Sequence, residues 1–405
     1  MKKFSLVDIS QSLSHRLDDP NPWAPETSLK TAQLPTGKSS FWGIPFQIPV
    51  LAESRQLAVV GHSGSTRDLE VPICGRASWI VFAHFCDSHS NSTIPVGDFD
   101  DPQSSSYSTP VVTSPGELLA NYVLIFADGS TSKTPVRRRF EINQIENRMQ
   151  SSFAARSHQD LSPLPLHGPY PKNQWGRMQT GVNLGEFGPI ELVQPDYRTG
   201  PVCWSLYALR NTQPEREISE IRIEPTGAAA IAIAAITLFH GNSHPLRHNS
   251  LDTLEIIAEN QNLVPGKMQI DVDMGVVARQ YAVPGFDPEK WLASPVHGWG
   301  EEPRNLDATS KFMVDISAGN DATLFVGDHE IDLNPIYTSC EQRKPKAEAR
   351  DKSGIVAVRP MNLERVWIHA RVIDEATGKP TPARVHFRSP DGRYLPPYGH
   401  RHEVN

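Results

Sequence analysis

Histidines, carboxylates and loop tryptophans are the residues of this chain that could do chemistry, and their spacing decides what kind. His400-Arg401-His402 is its one His-x-His. Alternate strand residues point to one face, so the two imidazoles would share a metal. Such a site needs further ligands and only Glu403 is near, so a solvated tail is the default and His400 and His402 stand as a bare metal candidate. His240, His244 and His248 have helical ligand spacing, but Gly241 and Pro245 interrupt them and the glutamate of a zinc protease is missing; they read as a polar loop. Asp98, Asp100 and Asp101 crowd one Gly- and Pro-bounded loop, where hard oxygen ligands suit Ca²⁺, against the competing reading of a solvated acidic turn. Asp271 and Asp273 share a strand face and, with Asp287 or Asp328, would make paired carboxylates; surface charge is the plainer reading. Ser63 lacks the G-x-S-x-G spacing of a nucleophile, and no phosphate-binding glycine motif occurs. Trp175, Trp291 and Trp299 fall in expected loops, where a large ring either caps a core or offers a stacking face to a sugar. They are the ligand-binding candidates, with a glycan or small molecule as the partner. Trp42, Trp79, Trp204 and Trp367 fall on expected strands and read as core.

The elements that must position these residues are strands. Of 405 residues 35 are proline and 27 glycine, which suits many short strands joined by turns and excludes long helical bundles. Hydrophobic residues at 38% and charged residues at 21% exclude a wholly disordered chain. The net charge of −7 argues against a broad nucleic-acid footprint. Met1-Lys2-Lys3 resembles the basic start of a signal peptide, but Asp8 arrives before an apolar stretch of useful length. The longest apolar run, 228–239, is well short of the roughly 20 residues a spanning helix needs. The expectation is a cytoplasmic chain without a membrane span. Four cysteines form no CxxC pair; Cys74 and Cys86 would either bridge neighbouring strands or stay free and buried, and the second is preferred.

The fold class expected is all-β, with tandem β-sandwich modules and long loops. Residues 1–245 form the first module. Residues 41–48 read as a strand with a Gly and Pro kink, and 79–85 as a strand covered on both faces. Residues 121–126 meet Asp128-Gly129, a hairpin turn, and return through 136–142. There Arg137 and Arg139 alternate with Val136, Arg138 and Phe140, so an exposed arginine face explains the basic triplet. A long loop insertion lies near 150–200. In 228–239 the isoleucines nearly alternate, which predicts a buried strand, with a helix as the alternative. A second β-rich module spans 250–360, with strands in 268–274, 312–316 and 323–333 and a charged linker at 344–352. Residues 364–405 supply two strands and a tail, too little to bury a face alone, and read as an incomplete third β-sandwich.

Residues 202–239, with an aromatic-rich strand, Asn211, Pro214, an I-x-x-I-x-I strand and a final apolar strand, resemble the closing strands of galactose-binding-like jelly rolls. Residues 41–48 are similar to an early strand of those domains. Residues 372–385 resemble the opening hairpin of carboxypeptidase-regulatory-like domains, where a G-x-V-x-D-x-x-T-G-x-P run is usual; Ala370 stands here in place of the glycine. The layout as a whole resembles the non-catalytic front of CehA/McbA-type metallohydrolases, which carry β-sandwich modules ahead of a polymerase-and-histidinol-phosphatase (PHP) metal-binding domain. The resemblance implies an accessory region of a metal-dependent hydrolase, a structural calcium in the jelly roll, and a catalytic domain further along the same chain. It places no catalytic residue on this sequence. The other readings are that the chain is itself a metallohydrolase using His400 and His402, or a structural and oligomerisation module.

Overall fold

The computed structural model describes residues 3–17, 34–50, 55–61, 65–87, 93–95, 108–110, 116–145, 152–158, 203–249, 252–258, 269–285, 293, 305–341, 347–360, 369–383 and 385. The fold is all-β, built from antiparallel sheets. Two compact units divide it, one gathering the described residues up to Arg247 and the other those from His248 onward.

The first unit contains β1 (Phe4–Leu6), β2 (Gly37–Phe41), β3 (Ile44–Ile48), β4 (Ala58–Val60), β5 (Leu69–Gly75), β6 (Trp79–Cys86) and β7 (Thr93–Pro95). It continues with β8 (Ser108–Pro110), β9 (Leu118–Phe126), β10 (Thr131–Arg137), β11 (Arg156–Ser157), β12 (Ser205–Arg210), β13 (Ile218–Pro225) and β14 (Ile231–Phe239). One sheet runs β1-β14-β6-β12-β11, with β4 also paired to β14; the other runs β10-β9-β13-β5. Their inner faces share one core, to which β6 gives Ile80 and Phe82, β9 gives Tyr122, Leu124 and Phe126, and β13 and β14 give their isoleucines. This is a two-sheet sandwich.

Strand β14 shows why the sequence reads as it does. Its isoleucines at 231, 233 and 236 fall out of step with a period of two, and the pairing with β6 shifts register between Ile233 and Ala235. That bulge re-phases the strand, so Ile236 and Leu238 return to the core beside Ile231 and Ile233. Strand β13 does the same: a shift between Ile218 and Glu220 keeps Ile218, Ile221 and Ile223 on one face. Without the bulge in β14, Ile236 and Leu238 would turn out of the core, each forfeiting about 1.5–3 kcal/mol of burial. All nine residues of β14 are buried because its outer face is covered too. The hairpin of β2 and β3 lies there, with Ile44, Phe46 and Ile48 buried and Thr237 Oγ1 donating to the Pro45 carbonyl at 2.7 Å.

Residues 41–48 therefore belong to a hairpin, not to one kinked strand. Trp42 (φ 54) and Gly43 (φ 74) both adopt left-handed backbone, which makes the tight two-residue turn between β2 and β3. The hairpin read at Asp128-Gly129 joins β9 to β10, with Gly129 at φ 81.

The second unit holds β15 (Asp252–Ala258), β16 (Ile270–Val272), β17 (Gly275–Gly285), β18 (Asn305–Ala318), β19 (Thr323–Val326), β20 (His329–Asp332), helix α1 (Asn334–Glu341), β21 (Ala349–Arg350) and β22 (Val356–Pro360). One sheet runs β17-β18-β15-β22-β21 and a smaller one β16-β19-β20. The expected strand of 323–333 is a hairpin whose turn includes Gly327 at φ 58, and helix α1 follows it unforeseen. The expected linker of 344–352 contributes β21 and the turn into β22. Asp351 organises that turn: its carboxylate accepts from Val356 N–H at 2.9 Å, from the Ser353 amide at 3.2 Å and from the Ser353 hydroxyl, and it pairs with His329 Nδ1 at 2.9 Å. Those contacts, the Ser353 hydroxyl first, hold its carboxyl well below the usual range against the opposing effect of burial.

Residues 369–383 are exposed. Asp374 accepts from the Thr377 amide at 2.7 Å and hydroxyl at 2.8 Å, Gly378 sits at φ 63, and Ile373 bridges to Pro380. The D-x-x-T-G residue types are thus those the turn requires.

Candidate functional site: the long-connection end of the first unit

The two ends of the sandwich differ. At one end short turns at 76–78, 127–130 and 211–217 join the strands. At the other, β6, β10 and β13 finish and β9, β12 and β14 begin, and the connections 87–117, 138–155 and 158–204 leave and re-enter there. Connecting segments of this length on a rigid β scaffold are where β-sandwiches carry recognition.

At the feet of these connections lies a floor of buried charge. Arg138 is 2% exposed. Its Nη1 donates to the Asp87 carbonyl at 2.8 Å and to Cys86 Sγ at 3.5 Å, while Nε donates to Glu117 Oε2 at 2.9 Å. Its backbone also pairs with the far foot, as Gly116 N–H donates to the Arg138 carbonyl and Arg138 N–H to the Glu117 carbonyl. One side chain thereby joins the points where connection 87–117 departs and returns. Burial works against the guanidinium charge, but Cys86, Glu117 and Asp87 outweigh it and raise the pKa. The Cys86 thiol is pushed up to about 12, chiefly by burial, so it stays protonated and unreactive.

A second group sits alongside. Glu141, 6% exposed, grips Arg137 through Nη2 at 2.6 Å, Nε at 3.1 Å and the backbone amide at 2.9 Å. The carbonyl of Glu141 lies 3.0 Å from Nε2 of His84, a fully buried side chain on β6. A carbonyl only accepts, so His84 carries its proton on Nε2, and Nδ1 accepts from the Tyr122 hydroxyl at 2.7 Å. Burial pushes the His84 pKa down to about 3, the carbonyl bond opposing it only in part. Both ring nitrogens are spent and the ring is neutral at physiological pH, so His84 offers no general acid or base to a substrate.

Above this floor the chain shows aromatic and cationic groups. Phe140 and Phe153 stand 4.8 Å apart, with the Arg137 guanidinium 4.5 Å from the first ring and that of Arg139 5.9 Å from the second. Phe153 is 71% exposed. Nearby, the Arg156 guanidinium stacks 3.3 Å from the Trp42 ring, and Trp42 Nε1 donates to the Ser157 carbonyl at 2.7 Å.

Trp175, Trp291, Trp299, Asp98, Asp100, Asp101, His400 and His402 all lie outside the described residues. So do Ser63, Asp287 and Trp367. Of the others, His240 and His244 lie in the irregular segment after β14: His240 Nε2 contacts Ser5 Oγ at 2.9 Å, and His244 packs on Trp79 at 4.7 Å. Asp271 and Asp273 cap backbone amides of Val272 and Thr323. Trp204 and Trp42 are both buried as expected, although Trp42 occupies a turn and not a strand, and Trp79 on β6 is only half-buried. Cys74 and Cys86 are on strands of opposite sheets and free; Cys74 is exposed, not buried. Val136 and Arg138 are both buried, as the alternation has it, while Arg137 and Arg139 are half-buried, not an exposed face. Strand β10 ends at Arg137, and a turn held by Arg137, Arg139 and Ile142 follows. Sequence reading missed Arg138, Glu141 and His84 as a group; the one available signal was a histidine inside an otherwise apolar strand.

Among the described residues, no group of three or more metal-ligating side chains occurs, and no helix is long and apolar enough to cross a membrane. No protein-family model, no curated protein and no solved structure matches this chain.

Proposed function

We propose that this chain is a non-catalytic β-sandwich region that recognises a saccharide through the long-connection end of its first unit, and that it is the accessory part of a metal-dependent hydrolase. The observation that carries the reading is the fixed floor at that end. Arg138 Nε and Nη1, Glu141 and both His84 ring nitrogens bond inside the protein at the feet of the connections, while the Phe153 ring is 71% exposed with Phe140 4.8 Å beside it. Side chains locked beside an exposed aromatic ring preorganise a binding surface, and His84, with both ring nitrogens engaged, is no proton donor to a ligand there. The Asp374–Thr377–Gly378 turn supports the resemblance of 372–385 to a carboxypeptidase-regulatory-like opening, and with it the accessory role. Exposed Cys74 and buried Cys86 form no disulfide with each other, which suits a reducing, cytoplasmic setting.

The test is calorimetric titration of the full chain with a panel of neutral and acidic oligosaccharides, with metal analysis of the same preparation and an assay for hydrolysis of each ligand. Saturable binding without turnover is the expected result. Turnover with stoichiometric zinc or manganese would replace this reading with that of a metallohydrolase, and a panel without any binding would leave a structural module.

A further inference from the structure

We infer that Arg139, Phe140 and Phe153 form a binding site for an acidic saccharide, a uronate ring stacking on Phe153 with its carboxylate paired to Arg139; this rests on the reading of the first unit as a saccharide-recognition module. Three consecutive arginines lie at 137–139, and two are consumed internally. Glu141 holds Arg137 by two side-chain hydrogen bonds, and Glu117 and Asp87 hold Arg138. Arg139 is different. Its backbone is kept at φ 64, where glycine would sit without strain and an arginine costs stability. Its side chain returns little for that cost: Nε is buried without a hydrogen-bond partner, and among the described residues no carboxylate pairs with the guanidinium. A strained cation to which the described residues offer an aromatic ring but no carboxylate is placed to take an anion from outside the fold.

The neighbouring ring is presented in a matching way. Phe153 is 71% exposed, yet its backbone is pinned: its amide donates to the Arg139 carbonyl at 2.9 Å, and the Ala154 and Ala155 amides both donate to the Phe140 carbonyl. Phe140 backs it at 4.8 Å and is itself held by Arg137. A fixed aromatic face takes the apolar face of a sugar ring, and a planar guanidinium takes a carboxylate with two parallel hydrogen bonds. A uronate carries both groups on a single ring. A base and its phosphate would also offer a stacking face and an anion, but the net charge of −7 opposes a polyphosphate more strongly than an isolated carboxylate.

The experiment titrates the full chain with galacturonate, glucuronate and mannuronate trisaccharides, with their uncharged methyl esters, and with a short oligothymidylate. At least one acid form binds, more tightly than its ester. Arg139→Gly weakens that binding at least about tenfold, the loss expected for a charge-assisted pair, while the melting temperature stays unchanged or rises because strain is relieved. Phe153→Ala weakens acid and ester alike. Unchanged affinity in Arg139→Gly, or a fall in its melting temperature, would overturn the assignment by leaving that arginine a structural role. Tighter binding of the oligothymidylate would overturn it in favour of nucleic acid. Equal binding of acid and ester, or of neutral sugars alone, overturns the acidic site while saccharide recognition stands; a chain that binds no sugar of any kind loses both.

Discussion

Protonating His84 would break the polar core of the first unit, and the pH at which this is felt follows from its surroundings. In an unfolded chain the imidazole titrates near 6.5, whereas burial between the sheets pushes it down to about 3. From about pH 6.5 down to about pH 3 the unfolded state therefore binds a proton that the folded state does not. Stability must rise with pH across that window: this contribution is full above pH 6.5 and is lost as pH falls toward 3. At roughly 1.4 kcal/mol per pH unit inside the window, lowering the pH from 7 to 5 removes about 2 kcal/mol. His158 and His244, also pushed down to about 4 by burial, act in the same direction, so the contribution of His84 must be isolated by difference. His84→Gln does this, because its amide can donate toward the Glu141 carbonyl and accept from Tyr122 without titrating. Urea unfolding at pH 7, 6 and 5, read by pulsed hydrogen exchange in peptides from β6 and β9, reports the first unit alone. The variant should start less stable and lose about 2 kcal/mol less than the wild type between pH 7 and 5. Equal losses in the two proteins would refute the placement of a neutral histidine in the core.

Two further outcomes follow from the same kind of accounting. Arg138→Ala leaves Cys86, the Asp87 carbonyl and Glu117 without their donor. It should destabilise the first unit by about 3 kcal/mol, the low end for a broken buried pair because Glu117 remains 30% exposed and can rehydrate. Exchange in peptides 79–87 and 116–126 should rise together, and a rise in only one would contradict a shared anchor. Asp351→Ala removes a carboxylate held below its ordinary pKa, so its stabilisation is present above the unfolded value of 3.8 and is lost as pH falls further. The second unit of this variant should be less stable than wild type at pH 7 and converge with it in strong acid, measured by urea midpoints of peptides from β20 and β22. A gap that does not depend on pH would contradict the hydrogen-bonding role of Asp351.

Where packing follows local pattern, the sequence was a good guide. The apolar run of β6, the Asp128-Gly129 hairpin and the alternating isoleucines of β14 all became the elements their patterns predict. Even the flaws in alternation at Ile233 and Ile218 had meaning, since each is a bulge that restores the inward phase. Turn geometry was less legible. Nothing about a tryptophan advertises left-handed backbone, so the Trp42-Gly43 turn was read as a kink within one strand. The floor of the candidate site was hidden for a different reason. His84 meets Tyr122 and Glu141, and Arg138 meets Asp87 and Glu117, across separations from 21 to 57 residues, and spacing rules that look for ligands a few positions apart cannot see such groups. Residue type alone drew attention to Trp175, Trp291 and Trp299, while the exposed ring of Phe153 depends on a backbone pinned by Arg139 and Phe140.

The claim that the long-connection end of the first unit is the recognition surface is tested most directly by a hydrogen-exchange footprint of the full chain with a saturating oligosaccharide ligand from the panel. The account predicts protection concentrated in peptides covering 116–119, 138–145 and 152–158, with the turns at 127–130 and 211–217 unchanged. Protection confined to those opposite turns, or to the second unit, would contradict it.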